Sequence, residues 1–179
     1  MSLVINIDDI PDDGEYVFDL VEKQGHFKVD PEEGVLKEDL HVEGSLSKVG
    51  REVLLKGSIS TEMEMTCSRC LEPLRYKVRS KVLSRYVPGQ EADSLDLDVE
   101  LQASDIEEEF YTGERIDLTQ AVYDQMMLSL PLARLCKEDC QGICSQCGIN
   151  RNKKNCQCSD GDSVDPRLAV LKTLKDKLK

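Results

Sequence analysis

All eight cysteines of this chain of 179 residues fall into short clusters. Eight thiolates in such clusters are enough for two tetrahedral zinc sites of four cysteines each and leave none over. The sequence therefore predicts two bound Zn²⁺ ions. The predicted metal ligands are Cys67, Cys70, Cys136, Cys140, Cys144, Cys147, Cys156 and Cys158.

The spacing of the cysteines predicts how they divide between the two sites. Cys144 and Cys147 are followed by Gly148, a pattern typical of a zinc knuckle, in which backbone amides turn toward the sulfurs. Only eight residues separate Cys147 from Cys156, so the loop between them closes at low entropic cost. We expect one site from the four cysteines at 144–158 and a second from the four at 67–140.

Other uses of the cysteines compete with zinc. Disulfides belong to oxidising compartments, and the first residues lack the basic start and apolar run of a secretory signal. A thioredoxin-like redox pair at Cys67 and Cys70 needs a strand that runs into a helix, whereas the alternation that follows favours another strand. Cys140, Cys144 and Cys147 have the spacing of the iron–sulfur triad in enzymes that cleave S-adenosylmethionine, but the 32 residues that follow are too few for a barrel. A plain iron–sulfur cluster remains an alternative, because tetrathiolate sites accept either metal.

Composition and charge restrict the functional classes. No apolar stretch approaches the roughly 20 residues needed to span a bilayer, so we expect a soluble, cytoplasmic protein with no membrane partner. Aromatic residues make up only 4% of the chain, which predicts few stacking platforms for single-stranded bases. The net charge of −12 is unevenly spread: residues 134–179 hold 10 Lys and Arg against 6 Asp and Glu, while residues 1–133 hold 13 against 29.

Alternation of apolar and polar residues predicts an antiparallel β domain over residues 1–112. Two short strands are expected at residues 2–7 and 15–21. The alternation is clearest from residue 40 to residue 87, with a turn at Gly50, which indicates a meander. The first cysteine pair is expected at a hairpin tip within it.

Residues 113–179 are predicted to form a helix, a zinc-knuckle module and a C-terminal helix. Asp117 can cap the first helix, with Gln120 in position for a capping box. Asp165 and Pro166 open the second helix with the cap and first-turn proline in their preferred order. The predicted fold class is α+β: an antiparallel β-sheet domain with two C-terminal helices and a small Cys-rich zinc module.

Two groups of cations form a predicted partner-binding surface. The first occupies alternate positions of the strand after the hairpin tip, and the second lies on the loop between the last two cysteine pairs. These cations are Arg75, Lys77, Arg79, Lys81, Arg151, Lys153 and Lys154. In the competing interpretation the strand cations are merely solvated, or pair across the sheet with Asp96, Asp98 and Glu100.

The sequence contains no recognisable catalytic motif. His26 and His41 have no serine or cysteine nucleophile near them in a known pattern, and there is no glycine-rich phosphate loop. We therefore expect a protein that is not an enzyme and has no small-molecule substrate.

The motifs of the chain also occur in a distinctive order. This order runs Cys67-Ser-Arg-Cys70-Leu-Glu-Pro-Leu, an acidic middle, Ile116-Asp-Leu, Leu130-Pro-Leu, the later cysteine block with Gly142, Gly148 and Asn150, and finally Asp165-Pro-Arg-Leu-Ala-Val-Leu. Over roughly residues 40 to 175 it resembles the bacterial YceD family. Members are described as large ribosomal RNA subunit accumulation proteins, with relatives in plastids, in a family often encoded beside a small large-subunit ribosomal protein.

The resemblance implies a non-enzymatic factor needed for processing or accumulation of large-subunit ribosomal RNA. The implied partner is a ribosomal RNA precursor or a large-subunit ribosomal protein. The negative charge of the chain fits a protein partner at least as well as direct RNA binding. The rival hypothesis is a zinc-binding protein-interaction adaptor unrelated to RNA.

Overall fold

The computed structural model describes residues 3–89 and 108–158, and every structural statement below concerns these residues. They form eight strands, one turn of 3-10 helix at Ile7–Asp9 and one α-helix. The strands are β1 (Val4–Asn6), β2 (Glu15–Glu22), β3 (Val35–Leu36), β4 (Leu40–Val49), β5 (Glu52–Thr66), β6 (Pro73–Pro88), β7 (Glu108–Tyr111) and β8 (Arg115–Asp117). The helix α1 spans Thr119–Leu128.

A six-stranded sheet is the framework of the molecule. Its strand order is β2-β4-β5-β6-β7. Strand β3 also pairs with β5, next to the first residues of β4. The pairs β2–β4, β4–β5 and β5–β6 are antiparallel, which confirms the predicted meander. The pairing of β7 with β6 is parallel, which alternation along a single strand cannot indicate.

The inner face of the sheet holds the core because one set of alternate side chains points away from water. Leu46, Leu55, Ile59 and Met63 are all completely or almost completely buried there. Gly57 interrupts this apolar series because β4 and β5 approach closely at this point. A Cβ atom at Gly57 would lie 2.5 Å from the Glu43 carbonyl oxygen.

Helix α1 and the N-terminal strand cover this inner face. The predicted apolar face of α1 is confirmed, since Leu118, Ala121, Val122 and Met126 are buried. The helix is tied to β6 by a hydrogen bond that the Gln125 side-chain amide donates to the Ser80 hydroxyl (2.8 Å). Beside it, β1 pairs antiparallel with β8, and the buried side chain of Ile5 on β1 contributes to the core.

The start of α1 differs from the predicted capping box. The Asp117 carboxylate does accept a hydrogen bond from the Thr119 backbone N–H at 2.9 Å. The Gln120 amide donates to the Asp124 carboxylate one turn ahead (2.8 Å) and does not reach back to the cap. A carboxylate four residues on gives Gln120 a helical side-chain partner, which competes with the capping box.

Several expectations fall outside the structural description. The predicted second helix after Pro166 and the acids Asp96, Asp98 and Glu100 lie outside the described residues, so one α-helix is established. The division into residues 1–112 and 113–179 stays a prediction. Within residues 3–89 and 108–158, no helix is long and apolar enough to cross a membrane.

Candidate metal centres

The eight cysteines assemble into two groups of four. The first cluster is Cys67, Cys70, Cys136 and Cys140, and the second cluster is Cys144, Cys147, Cys156 and Cys158. Within each cluster all four Sγ atoms lie within 4.8 Å of one another, and each cluster could hold a metal ion. This is the grouping that the spacing predicts.

The sulfur distances in the first cluster suit a tetrahedral ion. The Sγ atoms of Cys67 and Cys140 are 3.8 Å apart, and those of Cys70 and Cys136 are 3.5 Å apart. A regular tetrahedron with zinc–sulfur bonds of about 2.3 Å has edges of about 3.8 Å. The distances also greatly exceed the roughly 2.05 Å of a disulfide bond, and all eight thiols are free.

Both clusters begin with the same backbone turn. In the second cluster the Gly148 N–H donates to the Cys144 carbonyl (2.9 Å), and the Cys144 N–H donates to the Ile149 carbonyl (2.8 Å). In the first cluster the Leu71 N–H donates to the Cys67 carbonyl (3.0 Å), and the Cys67 N–H donates to the Glu72 carbonyl (2.9 Å). The described residues therefore contain two turns of the knuckle type, one in each cluster.

Only the turn of the second cluster can be recognised from the sequence, because it contains a glycine at the position with positive φ. Gly148 has φ +71°, which favours glycine, and Leu71 takes the equivalent position with φ +59°. A leucine rarely adopts this conformation, so the first knuckle has no glycine to mark it.

The pKa values of the thiols differ within each cluster. Burial raises the pKa of the Cys67 thiol, but hydrogen bonds from backbone groups, led by Cys70, outweigh it and lower this pKa to about 6. The Cys70 thiol and burial raise the pKa of Cys136 to about 12.

The second cluster also contains one thiol with a lowered pKa and one with a raised pKa. Hydrogen bonds from the backbone N–H groups of Cys147 and Gln146 lower the pKa of Cys144 to about 6. A hydrogen bond with the Cys147 thiol, together with burial, raises the pKa of Cys158 to about 12. Four adjacent thiolates repel one another, and a divalent cation allows all four to ionise.

Side chains around the cysteines orient the first cluster. The Asn152 amide donates to the Cys140 sulfur (3.3 Å), and its carbonyl oxygen accepts a hydrogen bond from the Gln141 N–H (3.0 Å). The Cys136 backbone N–H points to the Cys67 sulfur at 3.4 Å. Such contacts fix ligand sulfurs in place and favour their charged form.

Hydrogen bonds connect the segments that carry the two clusters. The Ile143 N–H donates to the Arg69 carbonyl (3.0 Å), and the Arg69 guanidinium donates to the Cys140 carbonyl (3.1 Å). The Glu72 carboxylate beside the first knuckle accepts hydrogen bonds from Asn150 (3.2 Å) and Lys153 (2.6 Å) of the second. Direct contacts thus join the hairpin tip between β5 and β6 to the loop at 141–153.

The same geometry disfavours two alternative uses of the cysteines. Cys140 belongs to the first cluster while Cys144 and Cys147 belong to the second, so the three sulfurs with radical-enzyme spacing do not form one site. Cys70 leads into strand β6, and the helix that a thioredoxin-like pair requires is not there.

The cations of the predicted partner-binding surface differ in whether they form ion pairs. Lys77, Arg79 and Lys81 are exposed on the outer face of β6, as their alternate positions predict. Arg75 pairs with the Glu62 carboxylate at 3.1 Å, a partner on β5 that sequence alone did not indicate. On the second loop Lys153 pairs with Glu72, and Arg151 lies 3.8 Å from the Cys144 sulfur, while Lys154 is exposed.

Comparison with known proteins identifies relatives. The family model described as "Large ribosomal RNA subunit accumulation protein YceD" matches residues 55–175. Uncharacterized proteins of Mycobacterium bovis and Mycobacterium tuberculosis are 31% identical over 134 residues, covering 74% of this chain and 58% of theirs.

A plant protein extends this set. It is the Arabidopsis thaliana "Large ribosomal RNA subunit accumulation protein YCED homolog 1, chloroplastic", 25% identical over 148 residues, covering 72% of this chain and 46% of that protein. The chain thus spans 58% or less of the length of these relatives. No solved structure matches it. Because the family model covers well over half of the chain, including all eight cysteines, this protein belongs to the YceD family.

Proposed function

We propose that this chain is a non-enzymatic factor needed for processing or accumulation of large-subunit ribosomal RNA. The observation that carries the proposal is the family match over residues 55–175, together with the description of the Arabidopsis relative as a large ribosomal RNA subunit accumulation protein. The proposed partner is a ribosomal RNA precursor or a large-subunit ribosomal protein. The cytoplasm is the proposed location, although the plant relative is described as chloroplastic.

We propose zinc as the metal of both clusters, with the eight cysteines as its ligands. The sulfur spacing supports this assignment, and so does the all-cysteine donor set, which suits zinc. Four protein ligands leave no open position for a water or substrate, which favours a structural role for each ion. The ion of the first cluster would join the hairpin tip to the loop after α1, and the ion of the second cluster would close the loop at 144–158.

Metal analysis tests the zinc assignment. The purified protein should contain two zinc ions per chain, and a Cys67→Ser variant should lose the ion of the first cluster. A Cys156→Ser variant is the matched control, since it should lose the ion of the second cluster and keep the other. One metal per chain, or visible absorption from iron–sulfur charge transfer, would contradict the assignment.

Depletion in the native organism tests the ribosomal role. The ratio of large- to small-subunit ribosomal RNA should fall on depletion, and wild-type protein should restore it. The protein should also co-sediment with large-subunit precursors. An unchanged ratio after depletion would refute the proposal.

A zinc-binding protein-interaction adaptor unrelated to RNA is the second candidate. Four apolar side chains near the clusters favour it, because they are exposed and could pack against another protein: Leu71, Leu132, Ile143 and Ile149. Such an adaptor would retain its partners at high salt and leave ribosomal RNA levels unchanged on depletion.

A further inference from the structure

We infer that the outer face of β5 and β6 binds the phosphate backbone of RNA. This inference rests on the proposed ribosomal function and specifies the contact that serves it. The residues that form this RNA face are Lys56, Ser58, Ser60, Lys77, Arg79 and Lys81.

The strand register places these side chains side by side. Ser60 of β5 lies opposite Arg79 of β6, and Ser58 lies opposite Lys81. Lys56 lies one step further along the same face of β5. The three cations of β6 occupy alternate positions, so they repeat about every 6.7 Å along a rigid strand. This repeat is close to that of successive phosphates in an extended RNA strand.

The cations of the RNA face have no acidic partner in the part of the chain that the structure describes. Among residues 3–89 and 108–158, neither Lys56 nor any of the three β6 cations forms an ion pair. Glu62 lies opposite Lys77, but its carboxylate is held by Arg75 at 3.1 Å. Arg75 and Lys153, the latter paired with Glu72, are therefore left out of the RNA face.

Acidic residues limit the RNA face on one side. On the row of Ser58 and Lys81, the next strands contribute Glu43 of β4 and Asp19 of β2. The Ser58 hydroxyl donates to the Glu43 carboxylate at 2.9 Å. A polyanion is attracted to the β6 side and repelled from the β2 side, which fixes its path along β6.

The composition of the RNA face favours RNA over an acidic protein. Protein interfaces depend on buried aromatic or apolar anchors, whereas the RNA face consists of cations and hydroxyls and is bordered at Lys56 by the exposed side chain of Leu83. A shallow cavity of about 450 Å³ lies between Ser58, Ser60, Arg79 and Lys81. Glu43 also lines this cavity and accepts a hydrogen bond from the Ser58 hydroxyl, so the Ser60 hydroxyl and the cations Arg79 and Lys81 are the donors left for phosphate oxygens.

A triple variant, Lys77→Gln/Arg79→Gln/Lys81→Gln, tests the inference. The matched control, Lys28→Gln/Arg51→Gln/Arg115→Gln, removes the same charge from exposed positions outside β5 and β6. The probe is protein-free large-subunit ribosomal RNA made by transcription in vitro. Binding of the zinc-loaded full chain is measured by titration at several salt concentrations.

The salt dependence gives the expected result. Four phosphate contacts on single-stranded RNA should weaken binding about 50-fold between about 50 and about 200 mM salt, and the single remaining contact of the triple variant about threefold. The control should follow the wild type. Melting temperature and zinc content should be the same for all three proteins.

Three outcomes would overturn the inference. A triple variant that binds RNA like the control would show that phosphates are contacted elsewhere. A wild type that follows ribosomal precursors but ignores protein-free RNA would show a protein partner. A triple variant that melts early would show that these cations stabilise the fold. None of these outcomes affects the depletion experiment, so the ribosomal role is tested separately.

Discussion

Leu71 and Gly148 occupy equivalent positions in two knuckle turns and make the same backbone hydrogen bond. Both residues have positive φ, at +59° and +71°. The conformation costs glycine nothing sterically but costs other residues about 1–2 kcal/mol. Leu71 is 62% exposed, so burial of its side chain does not compensate fully for this cost.

Glycine and alanine at these two positions should therefore differ in stability. Leu71→Gly should be more stable than Leu71→Ala by about 1 kcal/mol, because both variants lose the same side chain beyond Cβ and only alanine keeps the strain. Gly148→Ala should lose about 1 kcal/mol, since a Cβ there meets nothing within 4 Å and the backbone alone sets the cost. Denaturant unfolding with saturating zinc measures both. Alanine equal to glycine at residue 71 would contradict the account.

At the scale of elements, the sequence predicted the features that depend on residues close together in the chain. Alternation located β4, β5 and β6, and helical spacing located the buried face of α1. Cysteine spacing predicted the grouping of the sulfurs because short loops close easily. The parallel pairing of β7 with β6 and the pairing of β1 with β8 depend on contacts between distant segments, which no local period encodes.

The ion pair between Arg75 and Glu62 shows the same limit at a candidate site. Alternation placed Arg75 correctly on the outer face, but its partner depends on the register of two strands. Only the structure separates this cation from Lys77, Arg79 and Lys81. The strained Leu71 was missed because nothing in a Cys-Ser-Arg-Cys-Leu sequence requires positive φ.

Metal removal should affect the elements unequally. After α1 the described chain has almost no regular secondary structure, and its links to the hairpin tip include the hydrogen bond from the Ser68 N–H to the Arg134 carbonyl (2.8 Å). Structural zinc contributes on the order of 10 kcal/mol in small zinc domains. Chelation should therefore expose amides around Ser68 and residues 134–144 to hydrogen exchange.

The middle of the sheet is the internal reference for that measurement. Leu46 and Leu55 pair in a fully buried part of β4 and β5, which hydrophobic burial holds without metal. Their amides should keep their protection after chelation. Equal loss of protection in both regions would mean that the metal stabilises the whole fold as one unit.

At the scale of the whole molecule, the family match covers only part of the described fold. It begins at residue 55, so β1, β2, β3 and β4 precede it. These strands contribute buried core residues, including Leu40, Val42 and Leu46, each with no exposed area. The matched segment alone would leave β5 as an unprotected edge.

A fragment of residues 55–179 should accordingly fail to form the sheet. We expect its far-ultraviolet circular dichroism to lose the β signal, because the fragment lacks the buried side chains of β4 and the pairing of β4 with β5. The second cluster should still bind one zinc ion, since its four cysteines lie within residues 144–158. The intact chain, with two ions, is the control. A folded fragment that carries two ions would show that the first four strands are dispensable.

The separation of the cysteines along the chain also determines when each cluster can form during synthesis. Cys70 and Cys136 are 66 positions apart, so at synthesis rates of about 5–20 residues per second the hairpin thiols wait on the order of 3 to 13 seconds for their partners. The second cluster is complete within a few seconds of its first cysteine. During that wait the nascent hairpin presents two reactive sulfurs with no ion to occupy them, and oxidants or a wrong metal can reach them then. The oxidants and metals present during translation would then determine what fraction of the protein acquires the correct metal, more than the stability of the folded protein would.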